Sequence, residues 1–181
     1  MKLIGLGVVV AAAISAQQPG SISPATATDP QLYADVLALV QLEGSKQRIE
    51  SNMHQMVDQG VSRMMKDTSQ CNAAFAAEWG KRMLAKINAD DFVNVEIAAY
   101  ERHFSDADIR ELISRLKKQR ENPASAVPSP GLKQKLEGVL PSVQSEILGG
   151  TTQVGAKLGG EIGQQIQKEH PEYCRGAAPR K

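Results

Sequence analysis

Apolar residues recur every three or four positions in several long stretches of the chain, which is the spacing of one face of an α-helix. The pattern runs through Tyr33 to Val40, Ile49 to Met65, Phe75 to Ile87 and Val93 to Phe104. No stretch alternates in the manner of a β-strand, and no repeat of fixed period is evident. The pattern predicts an all-α fold, a single-domain helical bundle of about six to seven helices.

Capping residues and turn residues predict where these helices begin and end. Asp29-Pro30 combines a side-chain cap with proline at the first helical position, and Gly44 is placed to end that first helix. The other predicted spans are Ser45 to Lys66, about Asn72 to Ile87, Asn88 or Asp90 to Phe104, Ser105 onward, and Ser129-Pro130 onward.

The stretch from Tyr100 to Leu116 contains the strongest local signal. Ser105 is a predicted N-cap, and Asp108 is placed to reach back to it, as in a capping box. Phe104 and Ile109 flank the cap with the spacing of a hydrophobic staple. Two core helices are therefore predicted to meet at this turn.

The last helical pattern contains two expected interruptions. Its apolar stripe runs from Leu132 to Ile147 and resumes from Val154 to Ile166. Pro141 removes a main-chain donor and is expected to kink the helix. Gly149-Gly150 predicts a break or a second bend between the two halves.

Three glycines at four-residue spacing lie beside the second half of that stripe: Gly155, Gly159 and Gly163. Lys157 and Glu161 within the segment argue against a transmembrane helix. Close packing against a neighbouring helix or a second subunit is the favoured interpretation, so the glycines are also candidates for a homo-oligomer contact.

The N-terminus has the features of an export signal. Lys2 precedes an apolar run from Leu3 to Ile14, and small residues allow cleavage after Ser15 or Ala16. The predicted organisation is a signal peptide over residues 1–16, a flexible leader over 17–28, one all-α domain over 29–174 and a disordered tail over 175–181. A periplasmic or secreted location follows, with no transmembrane segment after signal removal.

Export places the chain in an oxidising compartment, where its two cysteines become informative. Cys71 and Cys174 allow only one internal bridge, and we predict that disulfide. A metal site built from these cysteines and His170 is the alternative, but the local spacing supplies no fourth ligand.

The charge balance bears on the class of partner. Lys and Arg number 21 against 20 Asp and Glu. Such near-neutrality argues against nucleic acid, since binding to it depends on a basic surface.

A resemblance to a known family covers roughly Val93 to Leu148. The helix ending in Tyr100 and Phe104, the acidic capped turn, the Ser129 to Lys133 segment and Pro141 resemble a family of exported bacterial helical proteins. That family is catalogued as a domain of unknown function, numbered twenty fifty-nine. The resemblance implies an exported, all-helical protein and carries no activity with it.

The search for catalytic chemistry yields few candidates. None of the three histidines belongs to a metalloprotease, zinc or triad motif, and no phosphate-binding or cofactor-binding loop is recognisable. Tyr100 and His103 are the polar residues most worth following, as ligand contacts or as structural hydrogen bonds.

A softer metal site is a further hypothesis. Met53, His54 and Met56 have the thioether and imidazole groups that copper(I) prefers. The methionines fall on the predicted core face of their helix, however, where methionine commonly fills gaps. Core packing is therefore the favoured interpretation.

Three functional hypotheses follow. The first is a non-catalytic envelope protein that binds a partner protein, peptide or apolar ligand. The second is a hydrolase whose site assembles only in three dimensions, with Tyr100 or His103 in a concave pocket. The third is a copper(I)-binding protein.

Overall fold

In the part of the chain that it describes, the computed structural model of the protein has six α-helices and one short 3₁₀ turn. It describes residues 29–67, 70–122 and 127–174, so the predicted signal peptide, leader and tail lie outside the described residues. The helices are α1 (Pro30–Glu43), α2 (Ser45–Lys66), α3 (Ala73–Lys86), α4 (Ala89–His103), α5 (Asp106–Glu121) and α6 (Pro130–Glu169), followed by the 3₁₀ turn Pro171–Tyr173. The predicted all-α bundle is confirmed.

Side-chain caps begin five of the six helices, because the first main-chain N–H groups of a helix otherwise lack acceptors. Only α2 begins without one, since it follows Gly44 directly. Gly44 has a φ of 69°, in the left-handed region that glycine adopts without strain. The capping residues are Asp29, Asn72, Asn88, Ser105 and Ser129.

Two apolar cores lie along the length of α6. The first joins α1, α4, α5 and the N-terminal half of α6, and the second joins α2, α3 and the C-terminal half. The first core is formed by Val36, Leu39, Val40, Val93, Ile97, Ala99, Phe104, Ile109 and Val143, and the second by Val57, Phe75, Met83, Ile162, Ile166 and Cys174.

The predicted break at Gly149-Gly150 is wrong, because both glycines lie inside α6, which is 40 residues long and has no interruption there. A Cβ on Gly150 would lie 2.5 Å from Cγ1 of Val95, so this glycine permits a close approach of α4. Packing along α6 outweighs the low helix propensity of the glycine pair. Pro141 also lies inside α6, and the kink expected there stays a prediction.

The expected burial of the α2 methionines is wrong for two of them. Met56 and Met65 are 36% and 45% exposed, whereas Val57 between them is buried. The helical rotation places these methionines at opposite edges of the apolar stripe centred near Val57. The neighbouring helices cover the centre of the stripe and leave its edges in solvent.

Candidate functional site

Tyr100 points from α4 towards the junction of α1 and α2. Its hydroxyl donates to the Glu43 carboxylate, 3.3 Å from Oε2 and 3.5 Å from Oε1. Glu43 is the last residue of α1, and the left-handed Gly44 turns the chain directly into α2. The turn therefore places a carboxylate at the end of α1 against the last turn of α4.

Three further polar side chains complete this group. Ser45 donates to Oε1 of Glu96 at 3.1 Å, and Arg48 donates to Ser45 Oγ at 2.7 Å. Arg48 also donates to the main-chain carbonyl of Glu43. Ser45 is only 1% exposed, Glu43, Glu96 and Tyr100 are half-buried, and Arg48 is exposed at the rim. We call Glu43, Ser45, Arg48, Glu96 and Tyr100 the corner cluster.

Burial dominates the electrostatics of the corner cluster. It raises the pKa of Glu43 to about 7, with repulsion from Glu96 adding to the shift and Arg48 and Tyr100 opposing it. Burial likewise raises the pKa of Glu96, against the hydrogen bond from Ser45 and the charge of Arg48. The pKa of the Tyr100 hydroxyl is also raised, by burial and then by the two carboxylates. All three pKa shifts therefore favour the protonated forms of Glu43, Glu96 and Tyr100.

Sequence reasoning missed Glu43, although one signal pointed to it. A carboxylate in the last turn of a helix faces the negative end of the helix dipole, where it is disfavoured unless a specific partner compensates. Glu43 directly precedes the Gly44 terminator, and the compensating donor is Tyr100. Glu96 has no sequence signal that points to its partner, because Ser45 lies 51 positions away along the chain.

His103 belongs to a different contact from Tyr100. Its Nε2 lies 3.1 Å from Oε1 of Glu146 on α6, and Arg102 bonds the other oxygen of the same carboxylate at 3.0 Å. Tyr100 and His103 are one turn apart on α4, yet their partners lie on different helices. The structure does not bring the two candidates into one site.

Tyr100 and His103 do not line the surface concavity on α2 or the one between α5 and α6. One concavity lies on the outer face of α2, around Gln59 and Arg63, and another lies between α5 and the residues just before α6, around Arg115 and Ser129. The concave pocket that the hydrolase hypothesis expects around Tyr100 or His103 is thus not among them.

The proposed copper ligands do not converge. Successive helical residues are turned by about 100°, so His54 points well away from the side of α2 shared by Met53 and Met56. His54 and Met56 are exposed and Met53 is half-buried. Within the described ranges, no three His, Cys, Asp or Glu side chains cluster in a way that could hold a metal ion.

The predicted pairing of Cys71 with Cys174 is present in the structure, as a disulfide with an S–S distance of 2.03 Å. It ties the segment between α2 and α3 to the chain just after α6. Asn72 N–H donates to the Tyr173 carbonyl at 2.8 Å beside it. His170 stacks on Tyr173, with ring centroids 4.6 Å apart, and does not join the cysteines in a metal site.

Two of the three spaced glycines pack against α3. A Cβ on Gly159 would lie 3.1 Å from Trp79, whose Nε1 donates to the Gly159 carbonyl at 3.0 Å. A Cβ on Gly163 would lie 3.6 Å from Phe75, and one on Gly155 would meet nothing within 4 Å. Close packing against a neighbouring helix is therefore confirmed for Gly159 and Gly163, and the homo-oligomer contact through Gly155, Gly159 and Gly163 stays a prediction.

None of the helices in the described ranges combines the length and apolar character needed to cross a bilayer. Comparison of the chain with protein-family models, with curated proteins and with solved structures found no match. The resemblance to the exported helical family therefore stays a prediction.

Proposed function

We propose that this chain is an exported bacterial helical protein without catalytic activity, which binds a partner protein, a peptide or an apolar ligand in the cell envelope. The proposal rests on the contacts that Tyr100 and His103 make within the fold. Tyr100 bonds Glu43 and His103 contacts Glu146, so each candidate joins two helices. Side chains committed in this way are poorly placed to meet a substrate.

The disulfide supports the location. Cys71 and Cys174 are 103 residues apart in sequence, and such structural bridges persist in oxidising compartments. Large apolar side chains are exposed on α1, α2, α3 and α6, and contact with a partner would remove them from water. They include Met65 at 45% and Leu148 at 46%.

Native mass spectrometry of the protein purified from the periplasm tests this proposal. We expect a mass without residues 1–15 or 1–16, with the disulfide intact, and a bound protein, peptide or apolar molecule released on denaturation. Anaerobic titration with copper(I) in the same instrument tests the metal alternative. Stoichiometric copper that is lost in Met53→Leu and Met56→Leu would contradict the proposal.

One observation favours the hydrolase as a second candidate. Glu43 combines a pKa of about 7 with a tyrosine hydroxyl within hydrogen-bonding distance, and a general base works best near the operating pH. A conformation that opened the junction of α1 and α2 would be needed to admit substrate.

A panel of ester, amide and glycoside substrates tests that candidate, with Glu43→Gln and Tyr100→Phe beside the wild type. The matched controls are Glu161→Gln, at an exposed position of α6, and Tyr33→Phe, at a position 42% exposed. Steady turnover that either cluster variant abolishes and neither control affects would establish the hydrolase. Turnover that is absent, or equal in all five proteins, would exclude a site built on this cluster.

A further inference from the structure

The corner cluster contains two half-buried carboxylates whose hydrogen-bond donors are neutral. Glu43 accepts from the Tyr100 hydroxyl, and Glu96 accepts from the Ser45 hydroxyl. Arg48 lies beside them but donates to the Ser45 oxygen and to a main-chain carbonyl. Among the described residues, neither carboxylate has a salt bridge within 4.0 Å. Each ionised carboxylate is thus desolvated with little direct compensation.

The neighbouring cations on α5 and α2 make their contacts with groups other than the Glu43 and Glu96 carboxylates. Arg120 of α5 donates to the Leu42 carbonyl at the end of α1, not to a carboxylate. Lys46 of α2 pairs with Asp90 of α4 at the surface, at 2.6 Å.

The ionic contact of α6 with this part of α4 lies one turn beyond Tyr100, where Glu146 meets Arg102 and His103. Arg48 is therefore the cation that faces both carboxylates, so one of the two is left uncompensated when both are ionised.

We infer that the corner cluster is a proton-operated joint: it holds the α1–α2 turn firmly against α4 when it carries one proton, and it loosens when that proton is lost. The proton lies on the Glu43 carboxyl, beside the Tyr100 hydroxyl, and its removal leaves two half-buried like charges facing one arginine. The turn is suited to respond, because Gly44 is its only residue between the two helices. The protein would thereby stiffen or relax as the pH of its compartment crosses neutrality.

The direction of the pH effect follows from the raised pKa of Glu43, about 7 in the folded protein against an ordinary value of 4.5. A carboxyl with a raised pKa contributes its full stabilisation below the unfolded pKa and loses it as the pH rises through the folded pKa. The window is therefore pH 4.5 to 7. Carboxylates whose pKa is lowered, such as Glu78 and Glu169, act in the opposite direction and below this window.

Chemical denaturation between pH 5 and pH 8 tests the inference, with wild type, Glu43→Gln and the exposed control Glu161→Gln compared. For wild type relative to Glu43→Gln, the unfolding equilibrium constant should rise by roughly 50-fold from pH 5 to pH 8. Glu161→Gln should follow the wild type. Because the rest of the sequence is common to all three proteins, its contribution to the pH dependence cancels in the comparison. Parallel profiles for wild type and Glu43→Gln would overturn the inference.

Two measurements on the wild type keep the test valid if Glu43→Gln does not fold. The carboxyl carbon of Glu43, followed by NMR in protein with ¹³C-labelled glutamate, should titrate near neutral pH; a midpoint near that of a free glutamate would overturn the inference. Amide hydrogen exchange, corrected for the intrinsic rate at each pH, should show protection from Gly44 to Arg48 falling about tenfold more than protection in α3 between pH 6 and pH 8. An equal loss in both segments would show a global effect and exclude a local joint.

Discussion

At the scale of single residues, Ser105 and its neighbours behave as their sequence predicts. The Ser105 side chain accepts from the main-chain N–H of Asp108, and the Asp108 carboxylate accepts from the main-chain N–H of Ser105 at 2.8 Å. These partners are three residues apart, so the contact depends only on local geometry. Only the structure shows that Asp108 also pairs with Lys135 of α6, which in turn lies over the Phe104 ring.

Ser105→Ala should lower the free energy of unfolding by about 1 kcal/mol, the ordinary cost of losing an N-cap. Denaturant melts measure this loss. Ser114→Ala, at an exposed position within the same helix, is the matched control and should change little. Equal effects at both positions would mean that the cap makes no specific contribution.

Phe104→Ala should cost about 3–5 kcal/mol, because the side chain is 3% exposed and its removal leaves a cavity between α4, α5 and α6. Thermal and denaturant melts check this. Tyr33→Ala is the control, an aromatic residue 42% exposed on α1, and should cost much less. A Phe104→Ala protein as stable as wild type would remove this turn from the centre of the first core.

At the scale of elements, α6 shows how packing decides where a helix continues. Gly149 and Gly150 predict a break by propensity, yet only Gly150 contacts another helix. A Cβ on Gly149 would meet nothing within 4 Å. Two identical neighbours in sequence therefore have different roles, and which of them faces Val95 depends on how α4 lies on α6.

Gly149→Ala should raise the free energy of unfolding by about 1 kcal/mol through helix propensity. Gly150→Ala should lower it, because crowding Val95 costs about 1–3 kcal/mol and exceeds that gain. The two variants differ by one position and serve as controls for each other in a denaturant melt. Stabilisation of similar size in both would contradict the close approach of α4 to α6.

At the scale of the whole molecule, the two cores share α6 as their common wall. The disulfide closes the second core, in which Cys174 is packed with Ile162 and Ile166. Arg82 of α3 also forms a salt bridge with Glu169 at the end of α6, at 2.6 Å. The C-terminal half of α6 is thus held to α3 by packing and charge, and the disulfide joins the segment just before α3 to the chain just after α6.

Replacing both cysteines by serine should lower the free energy of unfolding by about 2–5 kcal/mol, since the bridge closes a long loop. Melts of oxidised wild type, reduced wild type and the double variant measure this. The reduced wild type should match the double variant. Two free thiols titrated in denatured, non-reduced protein would contradict the bridge.

The sequence by itself determined the features that depend on neighbours along the chain or on a unique choice. Helical spacing, the caps at Asp29 and Ser105, the left-handed end at Gly44 and the pairing of the two cysteines are of this kind. The helical features depend only on contacts within one helical turn, and two cysteines allow only one internal pairing.

Only the tertiary structure decided which distant side chains meet. Tyr100 and Glu43 are 57 positions apart, and Ser45 and Glu96 are 51 apart, so no periodicity links them. Their meeting depends on the angle at which Gly44 turns α1 into α2 and on the packing of α4 against both helices. The raised pKa of Glu43 follows from that burial. Local propensity acts over about one turn, whereas desolvation is a property of the assembled fold.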